Sequence, residues 1–131
     1  MRQELDDLLC QRYPTLFAER HLSPQQTSMC WGFACGDGWF ALIDSFCMEV
    51  LSLYADEPSM PIVIKQVKSK FKSLRIYCTG NDLRVRAMSR LVRTLSEHID
   101  EDSGNLRSVD HACDIEEFRL DLNQRYKKSH C

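Results

Sequence analysis

The strongest pattern in this 131-residue chain is an apolar repeat that runs from Trp39 to Tyr54. Its members recur three or four residues apart, as on one face of an amphipathic helix. They are Trp39, Leu42, Ile43, Phe46, Cys47, Val50, Leu51 and Tyr54. A helix with such a continuous apolar face must bury it against a second layer, so the remaining residues have to supply that layer.

Two more helices and a β-hairpin are predicted around this repeat. Residues 1–17 carry leucines at helical spacing, although Pro14 indicates a break near their end. Residues 61–79 contain two runs of strand-forming residues separated by SKFKS, which predicts an antiparallel hairpin. Residues 81–99 carry an apolar stripe made of Leu83, Ala87, Met88, Leu91, Val92 and Leu95.

The predicted fold class is therefore α+β. A chain of this length suits one domain over residues 1–131. About three helices would pack on a β-hairpin or small antiparallel sheet, because an isolated hairpin is only marginally stable. Residues 29–56 form a glycine-rich loop and helix in this prediction, and residues 100–131 form an irregular or short-helix tail.

Composition predicts a cytoplasmic protein with no membrane partner. No stretch approaches the ~18 apolar residues of a membrane-spanning helix. The polar and acidic start, MRQELDDLL, lacks the features of a secretory signal. The seven cysteines are odd in number and dispersed, so we expect free thiols and no disulfide framework.

The segment MCWGFACGDGW at 29–39 combines three glycines, two tryptophans and two cysteines. We expect its glycines to permit a tight turn with positive φ, and Asp37 to cap the following helix. The lysine and hydroxyl residue of a phosphate-binding loop do not follow these glycines. Trp31 and Phe33, where exposed, would be anchors for a partner protein.

Catalytic and metal chemistry find little support in the residues. No nucleophile signature or assembled set of catalytic groups is evident, so the prediction is a non-enzyme without a cofactor. Two sets of residues contain metal-ligand types, but each is too sparse in regularly spaced cysteines or histidines to predict a site. They are Cys30 and Cys35 with His21, and His98, His111 and Cys113 with Asp100.

Charge is segregated along the chain, although the net charge is only −2. Residues 60–96 hold nine of the 17 basic side chains and a single acidic one, between two acidic flanks. A cationic face of this kind suits phosphates or an acidic protein, whereas a merely solvated surface is the alternative. The overall pI of about 6.1 is low for a dedicated nucleic-acid-binding protein. The basic residues are Lys65, Lys68, Lys70, Lys72, Arg75, Arg84, Arg86, Arg90 and Arg93.

Two motifs, one after the other along the chain, resemble those of a known protein family. They are SMCWGFACGDGWFALID at 28–44 and KQVKSKFKSLRIYCTGND at 65–82, preceded by LFAERHLSPQQTSM at 16–29. This pattern resembles a small family with CWGFxCGDGW and QVKxKFxxLRxY motifs, found in bacteriophages and prophage regions and mostly of unknown function. The resemblance covers roughly residues 10–104 and implies an element of mobile DNA.

The chain departs from that family where its members often carry two cysteine pairs that look like a zinc site. Asp100 and Ser103 stand at the first pair, and Glu117 follows Cys113 where a fourth ligand would lie. The resemblance therefore implies a degenerate zinc site, since structural zinc requires four suitable ligands.

The expected function is that of a non-enzymatic phage or prophage accessory protein. It would bind a host or defence-system protein, for example as an inhibitor. The alternative is a nucleic-acid-binding module that uses the basic 65–93 face. Homodimerisation, in which the acidic flanks pair with that face, is a further hypothesis.

Overall fold

The computed structural model describes residues 1–55 and 62–107, together with Gln124. Three α-helices and three β-strands form an α+β domain, which confirms the predicted fold class. The helices are α1 (Gln3–Arg12), α2 (Phe40–Tyr54) and α3 (Leu83–Ser96). The strands are β1 (Phe33–Ala34), β2 (Ile64–Lys70) and β3 (Ser73–Cys78).

The three strands form one mixed sheet in the order β1-β2-β3. Strands β2 and β3 make the predicted antiparallel hairpin, with Lys68 opposite Arg75. Strand β1 was not predicted; it pairs parallel to β2, with Phe33 beside Val67. Two residues are too few to show a strand periodicity, so this pairing had no signal in the sequence.

The two faces of the sheet differ in character because side chains alternate along each strand. One face belongs to the core and carries Phe33, Val67, Leu74 and Ile76, all buried. The opposite face carries Ala34, Gln66, Lys68, Arg75 and Tyr77, which are exposed or half-buried. The solvent-facing side of the hairpin is therefore basic and partly aromatic.

The apolar repeat of α2 supplies the centre of the core, as predicted. Five of its members are buried, namely Trp39, Ile43, Phe46, Cys47 and Val50, whereas Leu51 is exposed. Trp39 has no exposed surface, and its indole Nε1 donates a hydrogen bond to the carbonyl of Ile99 at 3.0 Å. That bond ties the start of α2 to the segment that follows α3.

Helix α1 is shorter than the predicted helix over residues 1–17. It ends at Arg12, and the chain continues through turns. Pro14 explains the early end, since it has no backbone N–H to donate and it disfavours helical geometry at the residue before it. Leu16 and Phe17 are nevertheless buried in the core.

The predicted apolar stripe of α3 was largely wrong. Leu83, Leu91 and Leu95 are exposed, whereas Val92 of the predicted stripe is buried and Met88 is partly buried against the core. The helix also buries Val85 and Ser96, which the stripe did not include. Polar contacts explain which face of α3 turns toward the core, because two serines of the helix bond to the backbone of the edge strand β3. Ser96 accepts from the N–H of Leu74 at 2.7 Å, and Ser89 donates to the carbonyl of Ile76 at 3.1 Å.

Asp37 does not cap α2, contrary to prediction. The helix begins at Phe40, after a 3₁₀ turn over Asp37–Trp39. The carboxylate of Asp37 accepts from the backbone N–H of Arg2 at 2.7 Å and pairs with the Arg2 guanidinium at 3.1 Å. The extra turn moves Asp37 away from the helix end that its side chain would have to reach.

The glycines of the 29–39 segment serve two purposes. Gly32 has the predicted positive φ, +75°. Gly36 and Gly38 lie outside the left-handed region; they are required because the loop over residues 100–104 packs against them. A Cβ at either position would collide with that loop's backbone, whose Glu101 carbonyl accepts from the N–H of Gly38 at 2.7 Å.

The predicted tail over residues 100–131 is described only at its beginning. Residues 101–103 form a turn, and an isolated antiparallel bridge joins Ile99 to Leu106. Apart from Gln124, residues 108–131 lie outside the described part of the chain, and so does the possible short helix expected there. Within the described ranges, no helix is long and apolar enough to cross a membrane.

Candidate anion-binding groove

A groove of about 400 Å³ runs between β3 and α3. Four arginines line it: Arg75 on β3, and Arg86, Arg90 and Arg93 on α3. We call it the arginine groove. Its remaining walls include Tyr77, Thr79 and Asn81. Four of the nine basic residues of the 65–93 face thus meet around a single concave surface.

Helical spacing and the two serine contacts explain how these arginines come together. Arg86, Arg90 and Arg93 are separated by four and three residues, so they lie on one side of α3. Arg75 lies on the solvent face of β3, beside Tyr77 along the same strand. Because Ser89 and Ser96 hold α3 against the edge of β3, the arginines of helix and strand line the same groove.

The groove is electropositive. Among the residues that the structure describes, none of its four arginines forms an ion pair; Arg75 Nε donates instead to the hydroxyl of Ser73 at 3.1 Å. Guanidinium groups stay charged at all physiological pH values and bind carboxylate or phosphate oxygens in pairs. Their chemistry suits anion binding.

Asp82 is the only acidic side chain among the described residues that line the groove, and its carboxylate is already engaged. It caps α3 by accepting from the N–H of Arg84 at 2.8 Å, and its other oxygen pairs with the Arg84 guanidinium at 2.9 Å. The hydroxyl of Tyr54 donates to it at 3.0 Å. The hydrogen bond from the Arg84 side chain, followed by those from backbone N–H groups and Tyr54, holds the pKa of Asp82 far below its usual value.

Three predicted lysines extend the positive surface onto the hairpin. Lys68 lies opposite Arg75, and its Nζ is 5.4 Å from the centre of the Tyr77 ring. Lys70 Nζ lies 5.7 Å from the centre of the Phe71 ring, and Lys72 occupies the hairpin turn. Like charges directly opposite each other on two strands repel, so Lys68 and Arg75 favour an anion between or above them.

Four other predicted site residues lie outside the groove. Lys65 is paired with Glu19, with Nζ and Oε1 2.6 Å apart, and Arg84 is paired with Asp82. Phe33 is only 4% exposed, so its prediction as a partner contact was wrong: pairing of β1 with β2 turns its side chain into the core. Trp31 is 73% exposed and precedes β1, at the opposite edge of the sheet from the groove.

Sequence reasoning missed the aromatic residues next to the arginines. Tyr77 is 42% exposed within the groove, and Phe71 is 87% exposed at the hairpin turn. The alternation of LRIYC contained the signal for Tyr77: Leu74 and Ile76 point to the core, so Arg75 and Tyr77 must point to solvent. Phe71 had no comparable signal, since a turn aromatic is as easily folded back onto the domain.

The cysteines and histidines do not gather at one place within the described ranges. Burial raises the pKa of Cys35 to about 12 and that of Cys78 to about 11, so both are protonated thiols near neutral pH. Cys30 donates its S–H to the carbonyl of Thr27 at 3.3 Å. No three His, Cys, Asp or Glu side chains of the described residues lie close enough together to hold a metal ion, and His111 and Cys113 fall outside those residues.

Comparisons of the chain with protein-family models, with curated proteins and with solved structures found no match in any of the three.

Proposed function

We propose that this protein is a non-enzymatic binding module that holds the phosphate groups of a nucleic acid in the arginine groove. The observation that carries the proposal is the convergence of Arg75 with Arg86, Arg90 and Arg93 without an ion-pair partner among the described residues. Phosphate contacts made by arginine and lysine dominate the affinity of nucleic-acid complexes. Lys68 and Lys70 would continue those contacts beyond the groove.

The acidic overall pI does not argue against this assignment once the charges are placed in space. Three acidic residues pair with basic residues outside the groove: Asp6 with Arg20, Glu19 with Lys65, and Asp44 with Arg12. Binding responds to the local field at the groove, which the net charge of the chain does not describe.

The test is fluorescence anisotropy with labelled DNA of about 20 nucleotides, longer than most binding sites of small domains, over a range of salt concentrations. Four phosphate contacts predict a slope of about −3 to −4 for the logarithm of the binding constant against the logarithm of salt. The double variant Arg86→Gln with Arg90→Gln should weaken binding and reduce that slope by about 1.5–2.

A matched control removes two arginines outside the groove, Arg2→Gln with Arg12→Gln. Both are surface residues paired with carboxylates, at the two ends of α1. Their loss changes the net charge by the same amount, so equal weakening in both double variants would contradict a role for the groove. Salt-independent binding, or none, would contradict the proposal as a whole.

A second candidate function is supported by Trp31. This side chain is largely exposed at the opposite edge of the sheet from the groove, and it immediately precedes Gly32, which has a positive φ. Tryptophan is enriched among the residues that dominate protein–protein affinity. We therefore retain the proposal of a phage or prophage accessory protein that binds a host or defence-system protein in the cytoplasm through Trp31.

Affinity capture from host extract separates the two functions. A partner held through Trp31 should remain bound at high salt, because an apolar anchor is not screened. Trp31→Ala should release it, and the groove variant should not. Size-exclusion chromatography of the parent protein at several concentrations tests whether it forms a homodimer.

A further inference from the structure

We infer that the nucleic acid bound by this protein is single-stranded, with an unpaired base stacked on Tyr77 while its phosphates lie along the arginine groove. The inference rests on the proposed binding of nucleic acid and adds which form is recognised. It is carried by an exposed aromatic ring next to guanidinium groups that have no ion-pair partner in the described part of the chain.

The position of Tyr77 is the first step. Tyr77 shares the solvent face of the sheet with Arg75 and Gln66, and the residue is 42% exposed. Lys68 Nζ lies over the ring, 5.4 Å from its centre, so a base would stack on the opposite π-face or take the place of the ammonium. A base that stacks there meets an aromatic surface flanked by positive charge, which is how proteins hold single strands without reading their sequence.

The size of the groove is the second step. At about 400 Å³ it is in the range of small-ligand pockets, which take a few chemical groups of a ligand. A duplex presents its bases stacked on one another, with their faces covered, and only its grooves and backbone are accessible. An unpaired strand offers both a free base face and a backbone that can enter a groove of this size.

The hairpin turn is the third step. Phe71 and Lys72 are the two central residues of a two-residue hairpin loop, and both have positive φ, +51° and +59°. Glycine and asparagine are the residues that such a turn favours, whereas an aromatic residue there is strained. Phe71 nevertheless projects into solvent with Lys70 beside its ring, which provides a second aromatic and cationic pair on the same hairpin.

The test compares three labelled probes of equal length: oligo-dT, an abasic strand with the same phosphates, and a duplex. Oligo-dT should bind about tenfold more tightly than the abasic strand, since one stacked base is worth roughly that much. The duplex should bind no more tightly than the abasic strand. Equal binding of oligo-dT and the abasic strand, or preference for the duplex, would overturn the inference.

Substitutions at Tyr77 locate the effect. Tyr77→Leu keeps side-chain bulk but lacks a π-face, so its affinity for oligo-dT should fall about tenfold and its affinity for the abasic strand should not change. Tyr77→Phe keeps the π-face and should bind both probes as the parent does. Trp31→Ala, which removes an exposed aromatic at the other sheet edge, is the matched control and should change neither. A parental preference for oligo-dT in Tyr77→Leu would overturn the role of this ring.

The outcomes distinguish the inference from the function on which it rests. If all three probes bind equally, with the salt slope still dependent on Arg86 and Arg90, the groove binds phosphates but no base stacks. If no probe binds while poly-glutamate does so with a steep salt dependence, the groove serves an acidic protein and both proposals fall. Melting curves establish that each variant is folded.

Discussion

The hydroxyl of Ser96 accepts a hydrogen bond from the backbone N–H of Leu74 at 2.7 Å, and both residues are buried. Strand β3 is an edge strand, so this N–H has no partner strand and would otherwise be unsatisfied. The bond fixes the distance between α3 and β3, and with it the arginine groove that lies between them.

Replacement of Ser96 by Ala should therefore destabilise the domain by about 1–3 kcal/mol, the cost of leaving a buried donor unpaired. Thr94→Ala is the control on the same helix, because the Thr94 hydroxyl is exposed and donates to the carbonyl of Arg90 within its own helix. That substitution should change the free energy of unfolding by no more than about 0.5 kcal/mol. Urea unfolding measures both, and equal effects would contradict the role of the Ser96 contact.

Trp39→Ala should cost about 3–5 kcal/mol, the usual range for removing a large aromatic side chain from a core. Trp39→Phe should cost less, because the ring still fills part of the space and the main loss is the bond to the Ile99 carbonyl. Trp31→Ala provides a comparison with an exposed tryptophan and should leave the free energy of unfolding nearly unchanged. Similar melting of the two alanine variants would contradict the assigned burial.

Substitution of the two hairpin-turn residues should increase the stability of the domain. Phe71→Asn combined with Lys72→Gly places in the turn the residue pair that tolerates positive φ at both positions, so the domain should gain about 1 kcal/mol or more. The melting temperature measures this gain. Because the same change removes the exposed Phe71 ring, we expect weaker binding of oligo-dT together with the higher stability. A lower melting temperature would show that the turn is not strained.

The lowered pKa of Asp82 predicts in which direction the stability of the domain changes with pH. Its pKa is depressed in the folded state, so its contribution is present above the ordinary aspartate value of 3.8 and is lost as the pH falls through the lower, folded-state value. Asp82→Asn should melt at a lower temperature than the parent near neutral pH. The difference should shrink as the pH falls below about 3.8, and a constant difference down to strongly acid pH would contradict the assignment.

The Asp82→Asn variant has a further consequence for the groove. The carboxylate of Asp82 neutralises Arg84 and anchors the start of α3. Asp82→Asn should therefore raise the positive charge beside the groove and strengthen oligo-dT binding at low salt, provided that melting shows a folded domain. The proposed phosphate binding predicts this direction, since removing a nearby negative charge favours an anionic ligand.

Local periodicity in the sequence determined much of the architecture. The repeat from Trp39 to Tyr54 required a buried helix, and most of its members are buried as predicted. The strand-rich runs around SKFKS required a hairpin, and β2 and β3 form it. Alternation along β3 likewise determined that Arg75 and Tyr77 share a face. Each of these features depends on neighbours along the chain, so a single segment contains enough information to predict it.

Only the tertiary structure decided which faces turn inward and which distant segments meet. Both candidate faces of α3 have helical spacing, and the choice was made by Ser89 and Ser96 bonding to an edge strand outside the helix. Phe33 is buried because a two-residue strand pairs with β2, more than 30 residues away. The arginine groove depends on the same kind of contact, since Arg75 and the arginines of α3 lie on different elements. Such choices are set by the pairing of polar backbone groups and by packing between segments, which no local pattern contains.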